Sequence, residues 1–242
     1  MKIAVVTGAS TGIGRAVSIA LSKHGFKIFL VARSADGLQQ THDLIGKEGG
    51  EAQIFPADLS SIASIKELLA AITQNTNQVD LIANIAGIWH GENEVYAGKD
   101  FQAFNQKVII DTFMVGTVAP SLLVHGLLPL MKPGSKIVNL SGTFEDGGKG
   151  WLPYYVSKRA IEDLTVGLSQ ELADKSIQVN CVSPSDTATD SYTKFFPQFI
   201  DSAVKPEEIA KIFVELSDPA NLITGKVIVV KQGKGVFEAF HA

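Results

Sequence analysis

Two tyrosines in the stretch WLPYYVSKRA each stand ahead of a cation. Tyr154 precedes Lys158 by four positions, and Tyr155 precedes Arg159 by the same interval. Because residues four apart share one face of a helix, either phenol can lie beside a positive charge. A free phenol has a pKa of about 10, and a neighbouring cation favours the phenolate, so such a pair can exchange a proton with a bound molecule. The spacing therefore indicates acid–base chemistry and leaves both tyrosines open.

A second group of residues is suited to holding a pyrophosphate. The stretch VVTGASTGIGRA carries Gly8, Gly12 and Gly14 where a strand is predicted to turn into a helix. Glycines there let the backbone approach a pyrophosphate, whose charge is met by the free N–H groups and the dipole of the helix N-terminus. A position between the first strand and the first helix strengthens this otherwise weak signal.

Alternating strands and helices must position these groups. Short apolar runs recur along the chain: KIAVVTG, KIFLVAR, AQIFPAD, VDLIANIAG, KIVNLSG, IQVNCVSP and KVIVVKQG. Between most of them lie segments with helical periodicity, at 15–24, 35–47, 61–75, 101–131, 153–174 and 206–217. Apolar strands that alternate with helices predict an α/β fold, a single doubly wound, Rossmann-like parallel sheet with helices on both faces. We expect one domain over residues 1–242.

Composition excludes several classes of function. The chain is 45% hydrophobic and 19% charged, which fits a globular core and argues against disorder. A net charge of −4 and a pI near 5.7 give no electrostatic footprint for nucleic acid or an anionic membrane. The apolar start is too short for a signal peptide, and we expect no later run long enough to span a bilayer.

The cysteine and histidine content argues against a metal site. Cys181 is the only cysteine, so no intrachain disulfide can form, and we expect a cytoplasmic protein. The five histidines show no metal-ligand spacing with each other or with Cys181.

The glycine spacing G-x3-G-x-G resembles that of the short-chain dehydrogenase/reductase family, and the resemblance continues to Thr189. NIAG, which ends at Gly87, is similar to the family's N-N-A-G, and Asp58 resembles the aspartate that contacts adenine. The pair Tyr154-x3-Lys158 matches the family's catalytic pair, and the SPS turn with Thr187 and Thr189 resembles its loop near the nicotinamide.

The resemblance implies roles for individual residues. Tyr154 is the acid–base, and Lys158 activates it and holds the nicotinamide ribose, since Arg159 beside Tyr155 has no corresponding role. The implied cofactor contacts are Gly8, Ser10, Thr11, Gly12, Ile13, Gly14, Arg33, Asp58, Leu59, Asn84, Ala86, Gly87, Tyr154, Lys158, Pro184, Thr187 and Thr189. The family also implies a sheet of about seven strands and a homo-oligomer, dimer or tetramer, built from the long central helices.

Cofactor choice is predicted from the end of the second strand. An NAD site places an acidic residue there to accept the ribose hydroxyls. This sequence has Ala32 and Arg33 instead, and Arg33 can hold a 2′-phosphate through a charge-assisted fork. Arg15, just inside the first helix, can add positive field. We therefore expect NADP(H) to be favoured over NAD(H).

The chain departs from the family pattern at three places. Counting back from Tyr154 favours Ser141 as the family's catalytic serine, whereas the strand register places Gly142 there, and Thr143 is a substitute. Phe113 stands where the family carries an asparagine that supports a proton relay. Ser185 replaces the usual glycine of the SPS turn.

The segment 185–205 has no clear secondary-structure pattern but is rich in aromatic residues. It is either partial core, a subunit contact or a segment that covers a substrate, since ligands bind at the carboxyl ends of strands in such sheets. With Trp89 and His90 it favours an apolar or ring-containing substrate, although packing and surface exposure explain these residues equally well.

The sequence therefore predicts an NADP-preferring oxidoreductase that interconverts a carbonyl and an alcohol. Within that class, reduction of a 3-oxoacyl thioester is one option. The departures from the family pattern leave a second class open, a cofactor-binding protein with little catalysis that acts as a sensor or an assembly subunit. The expected partners are a small-molecule substrate and further copies of the chain, with no nucleic acid or membrane.

Overall fold

The computed structural model describes residues 1–242 and contains one sheet. Its strands are β1 (Lys2–Thr7), β2 (Phe26–Ala32), β3 (Ala52–Pro56), β4 (Leu81–Asn84), β5 (Lys136–Leu140), β6 (Gln178–Pro184), β7 (Val227–Lys231) and β8 (Gly235–Glu238). The strand order is β3-β2-β1-β4-β5-β6-β7-β8, with every pair parallel except β7 and β8. The predicted α/β class is confirmed.

The antiparallel β8 adds one strand to the seven that were expected. Gly233 and Gly235 adopt φ values of 72° and 76°, a region that favours glycine, and they turn the chain back along β7. All four residues of β8 are exposed, so its sequence carries no hydrophobic alternation. That absence explains why the sequence pattern did not predict it.

Eight α-helices cover the two faces of the sheet. They are α1 (Gly12–Lys23), α2 (Ala35–Lys47), α3 (Ile62–Asn75), α4 (Gln106–Phe113), α5 (Ala119–Leu127), α6 (Leu152–Glu171), α7 (Asp190–Phe195) and α8 (Pro206–Ser217). Helices α1, α2 and α8 pack on one core, and α3 and α5 pack on the other. On β1, Ala4 and Val6 face the first core while Ile3 and Val5 face the second. Burial on both faces explains why the strands read as continuous apolar runs.

The central helical stretch is continuous but irregular. A π-helical segment, Met114–Val118, joins α4 to α5 and begins directly after Phe113. A Cβ atom on Gly116 would lie 2.9 Å from the Cβ of Ser157, so this glycine allows α6 to approach closely. The stretch Gln106–Leu130 is long and apolar enough to cross a membrane by length and composition alone, contrary to our expectation. Core residues such as Ala119 and Leu123 account for part of that apolar character, and 39% of the apolar window is buried in the fold.

Strand β1 lies at the point where the strand order reverses. It pairs with β2 on one side and with β4 on the other. In doubly wound sheets, ligands bind outside the carboxyl ends of the strands at such a point. The glycine turn after β1 and the NIAG stretch after β4 both lie at this edge.

Candidate active site

Two adjoining cavities open at the carboxyl edge of the sheet. The larger has a volume of about 660 Å³ and the smaller about 400 Å³. Both are lined by Ile13, Trp89, Leu140, Tyr154 and Thr189. Tyr154 therefore stands where the two cavities meet.

The glycine turn shapes one wall of the larger cavity. Gly8 and Gly12 adopt φ values of 69° and 52°. A Cβ atom on Gly14 would lie 2.1 Å from the carbonyl oxygen of Gly8, so no side chain fits there. The turn thus presents backbone rather than side chains to the cavity, as the approach of a pyrophosphate requires.

The N-terminus of α1 is suited to an anion. Four other helices are capped by side chains, through Ser34, Ser61, Asn105 and Thr189. Thr11, at the start of α1, makes no such hydrogen bond. The first N–H groups of α1 therefore lack a side-chain acceptor, and a pyrophosphate would satisfy them. These residues fit a dinucleotide.

Most of the predicted cofactor residues line the larger cavity. They are Gly8, Ser10, Thr11, Gly12, Ile13, Gly14, Arg33, Asp58, Leu59, Ala86, Gly87, Tyr154, Lys158 and Thr189. Pro184 and Thr187 line the smaller cavity instead. Asn84 lines neither, because its amide donates to Asn139 Oδ1 at 2.9 Å in the adjacent strand. Sequence reasoning missed Ser34, which also lines the larger cavity and directly follows Arg33.

The charged groups that line the larger cavity just after β2 and β3 are Arg33 and Asp58. Arg33 is exposed, whereas Arg15 bonds Thr41 Oγ1 at 3.1 Å and Gln40 Oε1 at 3.0 Å and does not line the cavity. Burial raises the pKa of the Asp58 carboxyl, but hydrogen bonds from Ser60 and the charge of Arg33 outweigh it and lower the pKa below its usual range. Arg33 is therefore the arginine that lines this end of the cavity, and Arg15 lies behind it with its guanidinium on the carbonyl oxygen of Ser10, which also lines the cavity.

Tyr154 and Lys158 lie together on α6 at the junction of the cavities. Lys158 is buried and donates from Nζ to the carbonyl oxygen of Leu140 at 2.7 Å. Its Nζ is 5.5 Å from the centre of the Tyr154 ring. Burial lowers the pKa of Lys158 to about 8. The pair can therefore hold or release a proton beside a bound molecule.

The Tyr154 phenol is held in its protonated form. Burial, with a contribution from the negative charge of Asp186, raises the pKa of Tyr154 above its ordinary value. This direction is opposite to the lowering expected beside an ammonium, because burial removes the hydration that would stabilise the phenolate. A protonated phenol at this position can donate a proton to a neighbouring oxygen.

Tyr155 and Arg159 form a packed pair away from both cavities. The Tyr155 ring lies edge-on to Phe144, with ring centres 5.1 Å apart, and the Arg159 guanidinium lies 5.1 Å from the Tyr155 ring centre. Arg159 also donates to the carbonyl oxygen of Ala242 at 2.7 Å. Neither residue lines a cavity. Of the two tyrosines, only Tyr154 faces space in which a substrate can bind.

The loop after β5 brings two hydroxyls to the smaller cavity. Ser141 lines it, but its buried hydroxyl donates its proton to Glu162 Oε1 at 2.7 Å. A Cβ atom on Gly142 would find its nearest neighbours, in Phe144 and Pro184, at 3.8 Å, so this position has room for a side chain. Thr143 also lines the cavity, and its hydroxyl has no hydrogen-bond partner among residues 1–242. Thr143 therefore has the free donor on this loop.

Aromatic rings from five of the nineteen lining residues contribute to the wall of the smaller cavity. They belong to Trp89, Phe144, Trp151, Tyr154 and Tyr192. The segment 185–205 contributes through its folded form, with α7 followed by a 3₁₀ turn, Pro197–Ser202. Its aromatic side chains pack on Trp89, whose ring centre lies 6.0 Å from that of Phe195 and 6.4 Å from that of Phe196.

The doubly wound sheet, the uncapped glycine turn and the tyrosine–lysine pair define a dinucleotide-dependent oxidoreductase. A family model described as "short chain dehydrogenase" matches residues 2–198. The chain belongs to the short-chain dehydrogenase/reductase family and is an NAD(P)-dependent enzyme of that class.

Individual relatives agree with this assignment. The chain is 31% identical to the uncharacterized oxidoreductase YgfF of Escherichia coli, over 97% of this chain and 100% of that one. It is 28% identical to the rhamnolipids biosynthesis 3-oxoacyl-[acyl-carrier-protein] reductase of Pseudomonas aeruginosa, over 96% and 95% of the two chains. Among solved structures, the landomycin C-6 ketoreductase LanV with bound NADP and rabelomycin has a TM-score of 0.82, with 27% identity over 94% of each chain.

Proposed function

We propose that this protein is an NADPH-dependent carbonyl reductase that acts on a ring-containing ketone. The position of Tyr154 carries the proposal, because this residue alone among the candidate acid–base groups stands between the cofactor cleft and an aromatic-walled cavity. The larger cavity holds the cofactor, and the smaller one holds the substrate.

The cofactor and three side chains have separate roles in the proposed reaction. A bound nicotinamide cofactor supplies the hydride. Tyr154 donates its proton to the carbonyl oxygen as negative charge develops there. Lys158, held by the carbonyl oxygen of Leu140, stabilises the phenolate that remains. The free hydroxyl of Thr143 donates a second hydrogen bond to the same oxygen, because the proton of Ser141 is engaged by Glu162.

The preference for NADPH over NADH rests on Arg33. This exposed guanidinium lines the larger cavity, at the end of β2 where an NAD site would carry an acid. Arginine binds a phosphate through two parallel hydrogen bonds. LanV, the structural neighbour described above, has NADP bound.

A ring-containing ketone is favoured over a 3-oxoacyl thioester. The aromatic rings that line the smaller cavity suit a planar substrate, and LanV binds rabelomycin. The Pseudomonas aeruginosa relative supports the thioester option. Asp146 and Asp186, which make no salt bridge, line this cavity, however, and their charges would repel the acidic surface of an acyl carrier.

The alternative of a cofactor-binding sensor is supported by two positions. The Ser141 hydroxyl donates its proton to Glu162 and is not free for a substrate. Phe113 stands in place of the asparagine that supports the family's proton relay. Tyr154 and Lys158 nevertheless lie together at the cavity junction, which favours an enzyme.

A homo-oligomer and a cytoplasmic location complete the proposal. Apolar side chains are exposed on the central helices, among them Ile110 on α4, and Leu152 and Val156 on α6. Association through this face would bury them, as isologous helix interfaces do. A single species of monomer mass in light scattering at micromolar concentration would contradict this proposal.

A direct assay tests the function. Consumption of NADPH should be followed spectroscopically with a panel of aryl ketones and with acetoacetyl thioesters, using the wild-type protein and Tyr154→Phe. We expect turnover of aryl ketones by the wild type and its loss in the variant. If NADPH binds and no carbonyl compound is reduced, the sensor alternative replaces this proposal. If only the thioesters are reduced, the substrate class is wrong.

A further inference from the structure

Asp186 is an acidic residue held in place at the edge of the substrate cavity. It lies in the turn after β6, and its carbonyl oxygen accepts a hydrogen bond from the N–H of Val204 at 2.8 Å. Val204 is fully buried, so this bond anchors the turn to the core. Tyr192, which is buried, lines the same cavity. The turn that carries Asp186 is thus held to the core, while the residue itself is exposed at the cavity.

No cation neutralises Asp186 within the protein. Glu145, on the facing loop, is paired with Lys231 at 2.6 Å. Asp186 makes no salt bridge among residues 1–242, and neither does Asp146. Lys149 is the one cation that lines the cavity. The cavity therefore carries an excess of negative charge, and Asp186 is close enough to Tyr154 for its charge to act on that phenol.

The aromatic wall adds to the effect of this carboxylate. Trp89, Trp151 and Tyr192 line the same cavity as Asp186. Ring faces and a carboxylate together attract an ammonium group, and the carboxylate also accepts from a hydroxyl. A ligand that carries a carboxylate would be repelled by the negative charge of Asp186, and such repulsion discriminates against that ligand.

We propose that Asp186 is the specificity-determining residue of the smaller cavity and selects ring-containing ketones that carry an ammonium or hydroxyl group over those that carry a carboxylate. The inference rests on the proposed function, since it names the substrate class of the same cavity. It differs from that function in assigning the choice to one side chain, which takes no part in proton transfer.

A matched series of ketones tests the selection. Para-(dimethylaminomethyl)acetophenone, para-(hydroxymethyl)acetophenone and para-carboxyacetophenone share one ring and one carbonyl group and differ in charge. With wild-type enzyme and saturating NADPH, we expect kcat/KM for the ammonium ketone to exceed that for the carboxylate ketone by about tenfold or more. In Asp186→Asn, which keeps the shape of the side chain, the ratio should fall to within about threefold.

Asp146→Asn is the matched control. This variant removes an equal charge from the same cavity, so it should leave most of the wild-type ratio in place. If Asp146→Asn and Asp186→Asn lower the ratio equally, the selection belongs to the general field of the cavity and the assignment to Asp186 is overturned. Equal kcat/KM for the three ketones in the wild type also overturns it.

A binding measurement separates this inference from the proposed function. If the wild type reduces none of the ketones, the proposed reductase activity fails, and calorimetric affinities of the three ketones for the NADPH-loaded protein still decide the selection. We expect the ammonium ketone to bind about tenfold more tightly than the carboxylate ketone, with this difference lost in Asp186→Asn. Equal affinities, or no binding of any of the three, would refute the role of Asp186.

Discussion

The two cavities that meet at Tyr154 differ in what their walls are made of. The cofactor cleft is built around a backbone turn in which Gly8 and Gly12 take positive φ values and Gly14 has no room for a side chain. The smaller cavity, in which we propose that the substrate binds, is lined mainly by residues of two loops, after β5 and after β6. The first follows the family pattern closely, and the second departs from it at Gly142 and Ser185.

This difference has a physical cause. A pyrophosphate is bound by backbone N–H groups, which every residue except proline possesses, so the requirement falls on backbone geometry and few sequences satisfy it. A substrate is bound by side chains on loops, which change without disturbing the sheet that carries them. A family assignment therefore predicts the cofactor class of this protein more sharply than its substrate.

The largest expected effect lies at the junction of the two cavities. Tyr154→Phe removes one hydroxyl while leaving the ring and α6 in place, and turnover should fall by about 10²–10⁴-fold with little change in NADPH affinity. Tyr155→Phe is the matched control and should stay within about tenfold of wild type, since Tyr155 lines neither cavity. Steady-state kinetics and cofactor titration measure both. An inactive Tyr155→Phe beside an active Tyr154→Phe would reverse the assignment.

The next prediction concerns the smaller cavity, where the hydroxyls of Ser141 and Thr143 lie on the loop after β5. Thr143→Val should lower turnover by about tenfold to a hundredfold, because it removes the free donor to the carbonyl oxygen. Ser141→Ala should affect turnover less and lower the free energy of unfolding by about 1 kcal/mol, since it removes a hydrogen bond to the buried Glu162. Kinetics and urea unfolding distinguish them. The opposite ranking in turnover would assign the donor to Ser141.

Substitution of Arg33 tests the proposed preference for NADPH over NADH. Arg33→Ala should weaken NADPH binding by about tenfold to a hundredfold, because a charge-assisted contact to the phosphate is worth about 1.5–3 kcal/mol. NADH lacks that phosphate and serves as the control ligand, so its affinity should stay nearly constant. Calorimetric titration of both cofactors gives the answer. Equal affinities of the wild type for NADPH and NADH would remove the basis for the preference.

The smallest expected effect is the pH dependence of stability at Lys158. Burial lowers its pKa from 10.5 to about 8 in the folded protein, so between these values the unfolded chain binds more protons. Stability should therefore rise with pH across this window. From about pH 8 to about pH 9, we expect the free energy of unfolding of the wild type to rise by about 1 kcal/mol relative to that of Lys158→Met.

An exposed lysine provides the control for this pH experiment. Lys175→Met, in which an exposed side chain is changed, should follow the wild type at every pH. Urea unfolding of the three proteins at both pH values gives the comparison. A constant difference between the wild type and Lys158→Met would show that Lys158 does not titrate in this range.

The elements were predicted well where their pattern is local. The helix expected at 35–47 coincides with α2, and that expected at 206–217 coincides with α8. The segment 101–131 instead contains two α-helices joined by Met114–Val118, because periodicity does not distinguish a π turn from an α turn. Strand β8 was not predicted, because all four of its residues are exposed and its sequence has no hydrophobic alternation.

What the sequence determined by itself rests on short-range physics. Alternating apolar runs and helical periodicity specify the sheet and its layers, three glycines specify the turn after β1, and the four-residue spacing places Tyr154 beside Lys158 on one helix. Each of these needs only neighbours along the chain.

The tertiary structure decided what depends on contacts between residues remote in sequence. It placed Tyr154 at the cavity junction and packed Tyr155 on Phe144, which the equal spacings could not distinguish. It engaged Ser141 with Glu162, 21 residues away, and Asn84 with Asn139, 55 residues away. A side chain's partner depends on how helices and strands are set against each other, and that setting is fixed only when the two cores are packed.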